Sequence, residues 1–431
     1  MMKALPLISF FRKPQNQPLL ALLLHWTLIT VLCIAAITLF GNRLPLLANA
    51  NLRHWDAEWY ARIRKAGYDY IAGQQGTLAF FPLFPFLWKW TFLNEIGISL
   101  LNLFIFSVSF FYLARTLKLG FTSSLLFLST PSLLFCFLPY SEALFFMSST
   151  IVLIGLHKKS DAMIIAGMCL VAFSRSVNIV LIPAVAYTYV LNYGFSAKTI
   201  RFVLTATLFM VAAVLAVFWI QYLYTGQWFV FFDIQKQWHR TLQAPTLPLT
   251  TLSTKVLWLD VIALFISTLA LFDAVVEGIG VLFRKEKAGF SAAAHFSMAY
   301  LAGMGFLAVF YSGIWPGQHG SSIMSLNRFV FAGPYFICYI YSRSAKGRTM
   351  QSGLLFLLAL LVTLLSAGVY EKLSFLGNYP LTLCYFAAIT LYITLYYSAF
   401  NKHALKLFFY ATHAITMVLL LFDFLGYGWV G

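Results

Sequence analysis

The sequence predicts an all-α polytopic membrane protein, and three observations carry that prediction. Of its 431 residues, 61% are hydrophobic and only 10% are charged, whereas a soluble domain carries roughly a quarter charged residues to solvate its surface. Mean hydropathy is +0.83. Apolar runs close to the roughly twenty residues that span a bilayer core recur from end to end.

With Arg12-Lys13 in the cytosol, the pattern divides into about thirteen candidate spans. They cover 19–40, 96–113, 122–138, 143–156, 162–173, 179–193, 202–224, 256–283, 291–311, 329–341, 354–370, 380–400 and 407–424. The first span is followed by Ala48-Asn49-Ala50, which mimics a signal cleavage site. Its apolar run exceeds the roughly 7–15 residues of a signal peptide, so it reads as a retained helix. The loops this layout places inside hold Arg115 and Lys118, Lys158-Lys159, Lys198 and Arg201, Arg284-Lys285 and Lys287. They also hold Arg343, Lys346 and Arg348, then Lys402 and Lys406, while Lys372 is the clearest charge in a short outside turn. That asymmetry is the positive-inside rule. It accounts for the net charge of +16 without a nucleic-acid partner. Several spans between 143 and 193 are short for the bilayer, which is tolerated where helix ends line a cavity; the other reading is that their ends are misplaced. The layout gives a catalytic transmembrane module, 1–341, with outside loops 41–95 and 225–255, followed by C-terminal transmembrane helices, 342–431.

One polar interruption organises the chain: NLRHWDAEWYARIRKAGYDYIAGQQGTLAFFPLFPFLWKW, residues 51–90. Trp55, Trp59 and Ile63, spaced by four, predict an apolar stripe on a short helix lying along the membrane. The segment 80–88 predicts a second interfacial element dipping toward lipid. In the second outside loop, Trp228, Phe231, Phe232, Gln235 and Trp238 fall near helical spacing, with Lys236, His239 and Arg240 interleaved. That suits an interfacial helix with its aromatics in the membrane. Five cysteines, Cys33, Cys136, Cys169, Cys338 and Cys384, lie in apolar runs without paired spacing and read as apolar side chains rather than disulfides or ligands.

Each candidate residue has a structural and a functional reading. Asp56 is either a helix cap or a base facing a membrane-level cavity; local sequence alone favours the cap. Glu58 is placed to pair with Arg62 at i,i+4, and residues two apart do not share a helix face. Asp56 and Glu58 therefore do not read as a carboxylate pair, and no clear metal-ligand set stands out, which leaves metal use open. Glu142, in Leu138-Pro139-Tyr140-Ser141-Glu142, is a charge at a membrane boundary, a functional candidate by default; the other reading is stabilisation of the next helix's N-terminus. Arg175, in Phe173-Ser174-Arg175-Ser176-Val177-Asn178, either snorkels or sits in a polar pocket, and Arg328 invites the same two readings. Carboxylates and arginines on the outer face suit a reaction at a lipid-linked phosphate. A base would take the attacking hydroxyl's proton and guanidinium would hold the leaving phosphate.

Trp55-Asp56-Ala57-Glu58, Gly67-Tyr68 and Ala79-Phe80-Phe81-Pro82-Leu83-Phe84-Pro85 resemble the W-D-A…G-Y…A-F-F-P-x-[FY]-P pattern of the Pig-V family. These are the mannosyltransferases that add the second mannose of GPI anchors, with their bacterial relatives. Tyr140-Ser141-Glu142-Ala143-Leu144 is similar to that family's Y-S-E-[SA]-L, and Leu326-Asn327-Arg328-Phe329 to its L-x-R-[FY]. Arg175-Ser176-Val177-Asn178 departs from its R-S-N by the inserted Val177. The resemblance implies a glycosyltransferase C fold and an inverting transfer, most readily of mannose, from a polyprenyl-phosphate donor. It implies Asp56 as general base and Glu142 as a second catalytic residue that orients the acceptor or Asp56. It implies substrate binding by Trp55, Glu58, Tyr68, Phe81, Pro82, Tyr140, Arg175, Asn178 and Arg328, with the two arginines on the donor phosphate. No cofactor is implied. The expected setting is a bacterial cytoplasmic membrane with the site facing the periplasm, and a lipid or glycan acceptor. The rival class is a lipid or glycan transporter that binds without bond cleavage; such proteins place their charges near the midplane between repeats, and no repeat stands out here.

Overall fold

The computed structural model describes residues 13–315, 320–347, 351–366 and 379–431, without the side chains of Asn42, Asn178, Thr254 and 379–382. Among the described residues the secondary structure is helical, apart from an isolated bridge between Thr250 and Ser322. Arg12, Arg348, Lys372 and the end of the eleventh expected span at Tyr370 lie outside the described residues.

Helix occupies each of the thirteen expected spans. The outside loop after α1 (Gln17–Phe40) carries α2 (Asp56–Ala66) and α3 (Leu83–Thr91). The chain continues through α4 (Glu95–Leu117), α5 (Phe121–Leu128), α6 (Glu142–Lys158), α7 (Asp161–Ser174), α8 (Leu181–Tyr193) and α9 (Ala197–Thr225). After α10 (Val230–Gln237) come α11 (Thr254–Leu282), α12 (Ala292–Phe310), α13 (Leu326–Phe331) and α14 (Pro334–Ala345). The last helices are α15 (Ser352–Leu365), α16 (Tyr379–Ala399) and α17 (His403–Leu425). Among the described residues six helices, α1, α4, α9, α11, α12 and α17, are long and apolar enough to cross a membrane. The protein is an integral membrane protein. Several helices start where the sequence supplies a cap: Asn94 accepts from Gly97 N, Ser160 from Met163 N, Ser196 from Thr199 N and Ser291 from Ala294 N.

The remaining spans are short or broken, and the breaks position the site. The third span is α5 followed by a 3-10 turn, Pro131–Cys136. The tenth is divided between α13 and α14, with Pro334 at the start of the second piece. Helix α7 has 14 residues, about 21 Å at 1.5 Å per residue, against a core of roughly 30 Å. It ends in extended backbone at Arg175, before the turn Ser176–Val180 and α8. Helices α6 and α7 approach backbone to backbone, because a Cβ on Gly167 would stand 2.9 Å from Ser148 O and one on Gly155 3.0 Å from Ile164 N.

At one end of the bundle Lys406 Nζ donates to Ser123 Oγ (3.1 Å), Tyr341 Oη to Lys118 O (3.1 Å) and Phe121 N to Gln17 Oε1 (3.2 Å). This end gathers lysines of the loops expected inside. Arg343 differs: it is buried, paired with Asp273 and hydrogen-bonded to Tyr397 Oη.

At the other end, helices stand where interfacial elements were expected, but their apolar stripes face protein. Ile63 is fully buried with Tyr68, Leu78 and Ile234, and Trp59 stacks on Phe80 with ring centroids 6.1 Å apart. Helix α3 buries Phe84 and Trp88 against Tyr60 and Ile98. Helix α10 buries Phe231 and Ile234 and leaves Phe232 exposed. The two outside loops cover each other's aromatic faces, which removes the apolar surface that a lipid interface would otherwise take. Gly67 ends α2 at φ +83°, and a Cβ there would overlap the Tyr224 ring. Gly67→Ala is expected to lose about 1–2 kcal/mol from the left-handed backbone alone, read as a lower unfolding temperature in detergent. An unchanged temperature would mean that the turn and Tyr224 relax freely.

Candidate functional site

Four charged side chains meet at this end of the bundle, each delivered by a helix end. Asp56 is the first residue of α2, after Trp55 at φ 54°, ψ −122°. Arg328 is the third residue of α13, after Ser325 at φ 67°. Left-handed backbone at non-glycine residues costs of order 1–3 kcal/mol and collects at functional sites. Glu142 opens α6, and Arg175 follows the end of α7.

Arg328 is the hub. Its Nη2 lies 2.8 Å from Asp56 Oδ2 and 2.6 Å from Glu142 Oε1, and its Nε donates to the same Glu142 oxygen at 2.8 Å. Its guanidinium lies over Phe135 and Tyr140, 4.7 and 4.8 Å from the ring centroids. Arg175 Nη1 forms an ion pair with Glu142 Oε1 at 2.6 Å, and its guanidinium sits 4.4 Å from the Phe329 centroid. Asn327 holds this turn to α11: its N and Nδ2 donate to Asp260 Oδ1 at 2.9 and 2.7 Å, while Thr251 Oγ1 donates to Asp260 Oδ2. Glu142 is 0% exposed and Arg328 4%, but the Asp56 side chain is 21% exposed. Of the two carboxylates, Asp56 is the one a substrate can reach.

Glu142 stands in the first turn of α6, where its charge also meets the helix N-terminus; for the other residues the geometry departs from the alternative roles. Asp56 is inside its helix, and no side chain caps α2. Ser141 makes no cap bond to α6; its Oγ accepts from Tyr60 Oη at 2.9 Å. Arg175 does not snorkel: its side chain is 9% exposed and turned to Glu142. Arg62 pairs with Asp69 at 2.7 Å and lies over Trp59, rather than bonding Glu58. The polar pocket expected around Arg175 is thinner than its sequence suggests, because Ser174 Oγ donates back to Val171 O. The Asn178 side chain lies outside the described residues.

Two cavities that share part of their lining lie beside the cluster. The smaller, about 80 Å³, is lined by Asp56, Tyr60, Arg175, Arg240, Arg328 and Trp429, among others. The larger, about 630 Å³, is mainly apolar, with Met210, Val214, Phe218, Phe231 and Leu307 in its walls. Phe81, Ser176, Trp238, Arg240, Met324 and Phe329 border both. Exposed Ile179, Val211, Leu215 and Phe232 also line the larger one, so its rim is continuous with the surface that faces lipid.

Among the residues expected to bind substrate, Phe81 and Tyr140 join the cluster. Trp55 flanks it through the segment 427–431: its Nε1 donates to Gly428 O at 3.1 Å, and its ring stacks on Tyr427 and meets Trp429 edge-on. Arg328 Nη1 donates to Gly431 O at 3.2 Å. Tyr68 is buried away from both cavities, its Oη donating to Phe80 O at 3.0 Å, and Pro82 is a buried residue preceding α3. Glu58 faces a separate outer groove with Arg53, Arg64, Lys65 and Lys89.

Sequence reasoning missed Arg240 as a site residue. Its signal was its place beside Trp238 in the second outside loop. Burial lowers its pKa; Asp56 opposes that effect, and Arg175 and Arg328 add to it. Asp56 and Glu142 balance the charges of Arg328 and Arg175. Arg240 enters none of the ion pairs among the described residues.

Fold and site together define an all-helical membrane protein with a compact ion-pair centre at one end, open to an apolar cavity. No family model matches the chain, and no curated relative does. The chain is similar to the crystal structure of ArnT from Cupriavidus metallidurans bound to undecaprenyl phosphate, with a TM-score of 0.46 and 11% identity, over 94% of this chain and 77% of that one.

Proposed function

We propose that this chain is a glycosyltransferase of the glycosyltransferase C superfamily, related to the Pig-V mannosyltransferases. It transfers mannose from polyprenyl-phosphate mannose to an acceptor hydroxyl, with inversion, on the periplasmic face of a bacterial cytoplasmic membrane. One juxtaposition supports the reading above all: a 630 Å³ apolar cavity shares its border with a pocket holding Asp56 and three arginines. A ligand with a long hydrocarbon tail and an anionic head fits both environments at once. The motif likeness at 55–58, 79–85, 140–144 and 326–329 points to the same class.

In the reaction, the acceptor oxygen attacks the anomeric carbon of the sugar. The bond from that carbon to the phosphate oxygen breaks, and its electron pair stays on the phosphate. The hydroxyl proton passes to Asp56, which stands on the sugar face opposite the leaving group. Glu142 keeps Arg175 and Arg328 in place; being fully buried, it acts on substrate only through them. Arg328 in turn fixes the Asp56 carboxylate. The acceptor is the hydroxyl of a glycolipid, a secreted glycan or a protein.

The test is transfer by the purified protein in detergent. Polyprenyl-phosphate mannose and polyprenyl-phosphate glucose, each radiolabelled, are supplied with a membrane glycolipid extract. Label leaving the mannose donor and appearing on the extract is the expected result. Transfer from glucose alone would overturn the sugar assignment. Saturable donor binding with translocation in proteoliposomes and no cleavage would make the protein a transporter.

A further inference from the structure

We propose that Arg240 seats the phosphate of the lipid-linked donor and holds the departing phosphomonoester more tightly than the donor itself. The proposal rests on the transferase reading above and specifies the residue that recognises the lipid head. The two arginines implied by motif resemblance are poorly suited to that task. Arg328 is engaged by Asp56 and Glu142, Arg175 by Glu142, and their side chains are only 4% and 9% exposed. An incoming phosphate would have to displace these carboxylates and leave them buried without partners, at a cost of several kcal/mol.

Arg240 differs in its pairing and in its place between the two cavities. It is half-buried, borders both the apolar cavity and the Asp56 pocket, and enters no ion pair among the described residues. A partly buried guanidinium outside any ion pair, with Asp56 already engaged by Arg328, is stabilised by an arriving anion. The apolar cavity beside it selects an anion that carries hydrocarbon. The loop that bears Arg240 is firmly built. Arg240 N donates to Gln235 O at 3.0 Å, and the His239 ring lies 5.0 Å from Trp315. Gln243 is tied to Phe310 O and Ser312 O at 2.9 and 2.8 Å. Gly313 leaves the space that the His239 carbonyl occupies, which a Cβ would overlap.

The charge of the ligand changes during the reaction. A lipid-phosphate-sugar diester carries one negative charge, which the single charge of Arg240 matches. As the carbon–oxygen bond breaks, the electron pair adds a second negative charge to the phosphate. A donor poised where charge develops stabilises the transition state more than the ground state. The product monoester, with a second pKa near 6 and about −1.5 to −2 charges at pH 7, is then bound more tightly than the substrate and inhibits.

The experiment measures binding of a short-chain polyprenyl phosphate, and of the uncharged polyprenol of equal length, to the full chain in nanodiscs between pH 5 and 7.5. Wild type is compared with Arg240→Gln and Arg240→Lys. In wild type, phosphate affinity should exceed alcohol affinity and rise with pH as the second proton leaves. Arg240→Gln should lose about 10–100-fold in phosphate affinity, flatten the pH rise and leave polyprenol binding unchanged. Arg240→Lys should keep the pH rise, and a flat profile there would overturn the proposal even if the Gln variant folds poorly. Wild-type behaviour of Arg240→Gln would overturn the role of Arg240 and leave the transferase reading standing. Equal binding of phosphate and alcohol by wild type would overturn both.

Discussion

Replacing Asp56 with Asn is expected to cut sugar transfer by about 10³-fold, within the usual range for a general base, while leaving lipid-phosphate binding intact. Asn keeps the shape of the side chain and an oxygen for Arg328 Nη2, now 2.8 Å from Asp56 Oδ2, so the hub stays in place. What it loses is the capacity to take a proton from the acceptor. The deficit should therefore fall on kcat, with donor KM nearly unchanged. Removing one negative charge also leaves the three arginines less neutralised, so affinity for polyprenyl phosphate should hold or increase. Steady-state transfer and equilibrium binding on the same preparation check both parts. Transfer equal to wild type would end the role of Asp56. Loss of binding in parallel with transfer would assign the residue to positioning instead.

The second large effect is on stability. Glu142→Gln is expected to destabilise the protein by about 3–5 kcal/mol, the range for removing one partner of a buried ion pair. Glu142 Oε1 serves both Arg175 and Arg328 from a fully buried position. Without that charge, two guanidinium groups remain enclosed; Arg328 keeps its ion pair with Asp56, while Arg175 keeps none among the described residues. A lower unfolding temperature in detergent is the readout. The double variant Glu142→Gln, Arg175→Gln should recover part of the loss, because it removes one stranded cation as well. If the double variant were as unstable as the sum of its parts, the ion-pair account of Glu142 would fail.

The helices and the principal charges were legible because a bilayer makes run length and isolated charge conspicuous. Spans such as 202–224 and 256–283 match α9 and α11 closely, and even the break after Phe173 announces itself through Arg175 in an apolar stretch. Asp56, Glu142, Arg175 and Arg328 stand out for the same reason, and they join in one chain of ion pairs, Arg175 to Glu142 to Arg328 to Asp56. What the sequence leaves hidden is mostly a matter of partners. An apolar stripe such as Trp59 and Ile63 has the same periodicity against lipid or against protein, so only the fold shows that the two outside loops cover each other. Arg62 bonds Asp69 rather than Glu58 because the turn at Gly67 brings Asp69 back along α2. Tyr68 lies in one of the resembling motifs but spends its hydroxyl on Phe80 O. Arg240 reads as one cation among Lys236 and His239; that it stays outside the ion pairs of the described residues is visible only in three dimensions.

The stacking of Tyr427 and Trp429 on Trp55, and the bond from Trp55 to Gly428, set a condition on biosynthesis. The pocket draws on residue 56 and on residue 429, so it cannot close until the ribosome has passed both and α17 has been inserted. During translation, the outside loop must wait with its strained turn at Trp55 unsupported while the intervening helices are threaded into the bilayer. A nascent chain interrupted before residue 427 would carry every ionised group of the cluster and still lack the wall that holds Trp55. The pocket thus closes only after the intervening helices have been inserted.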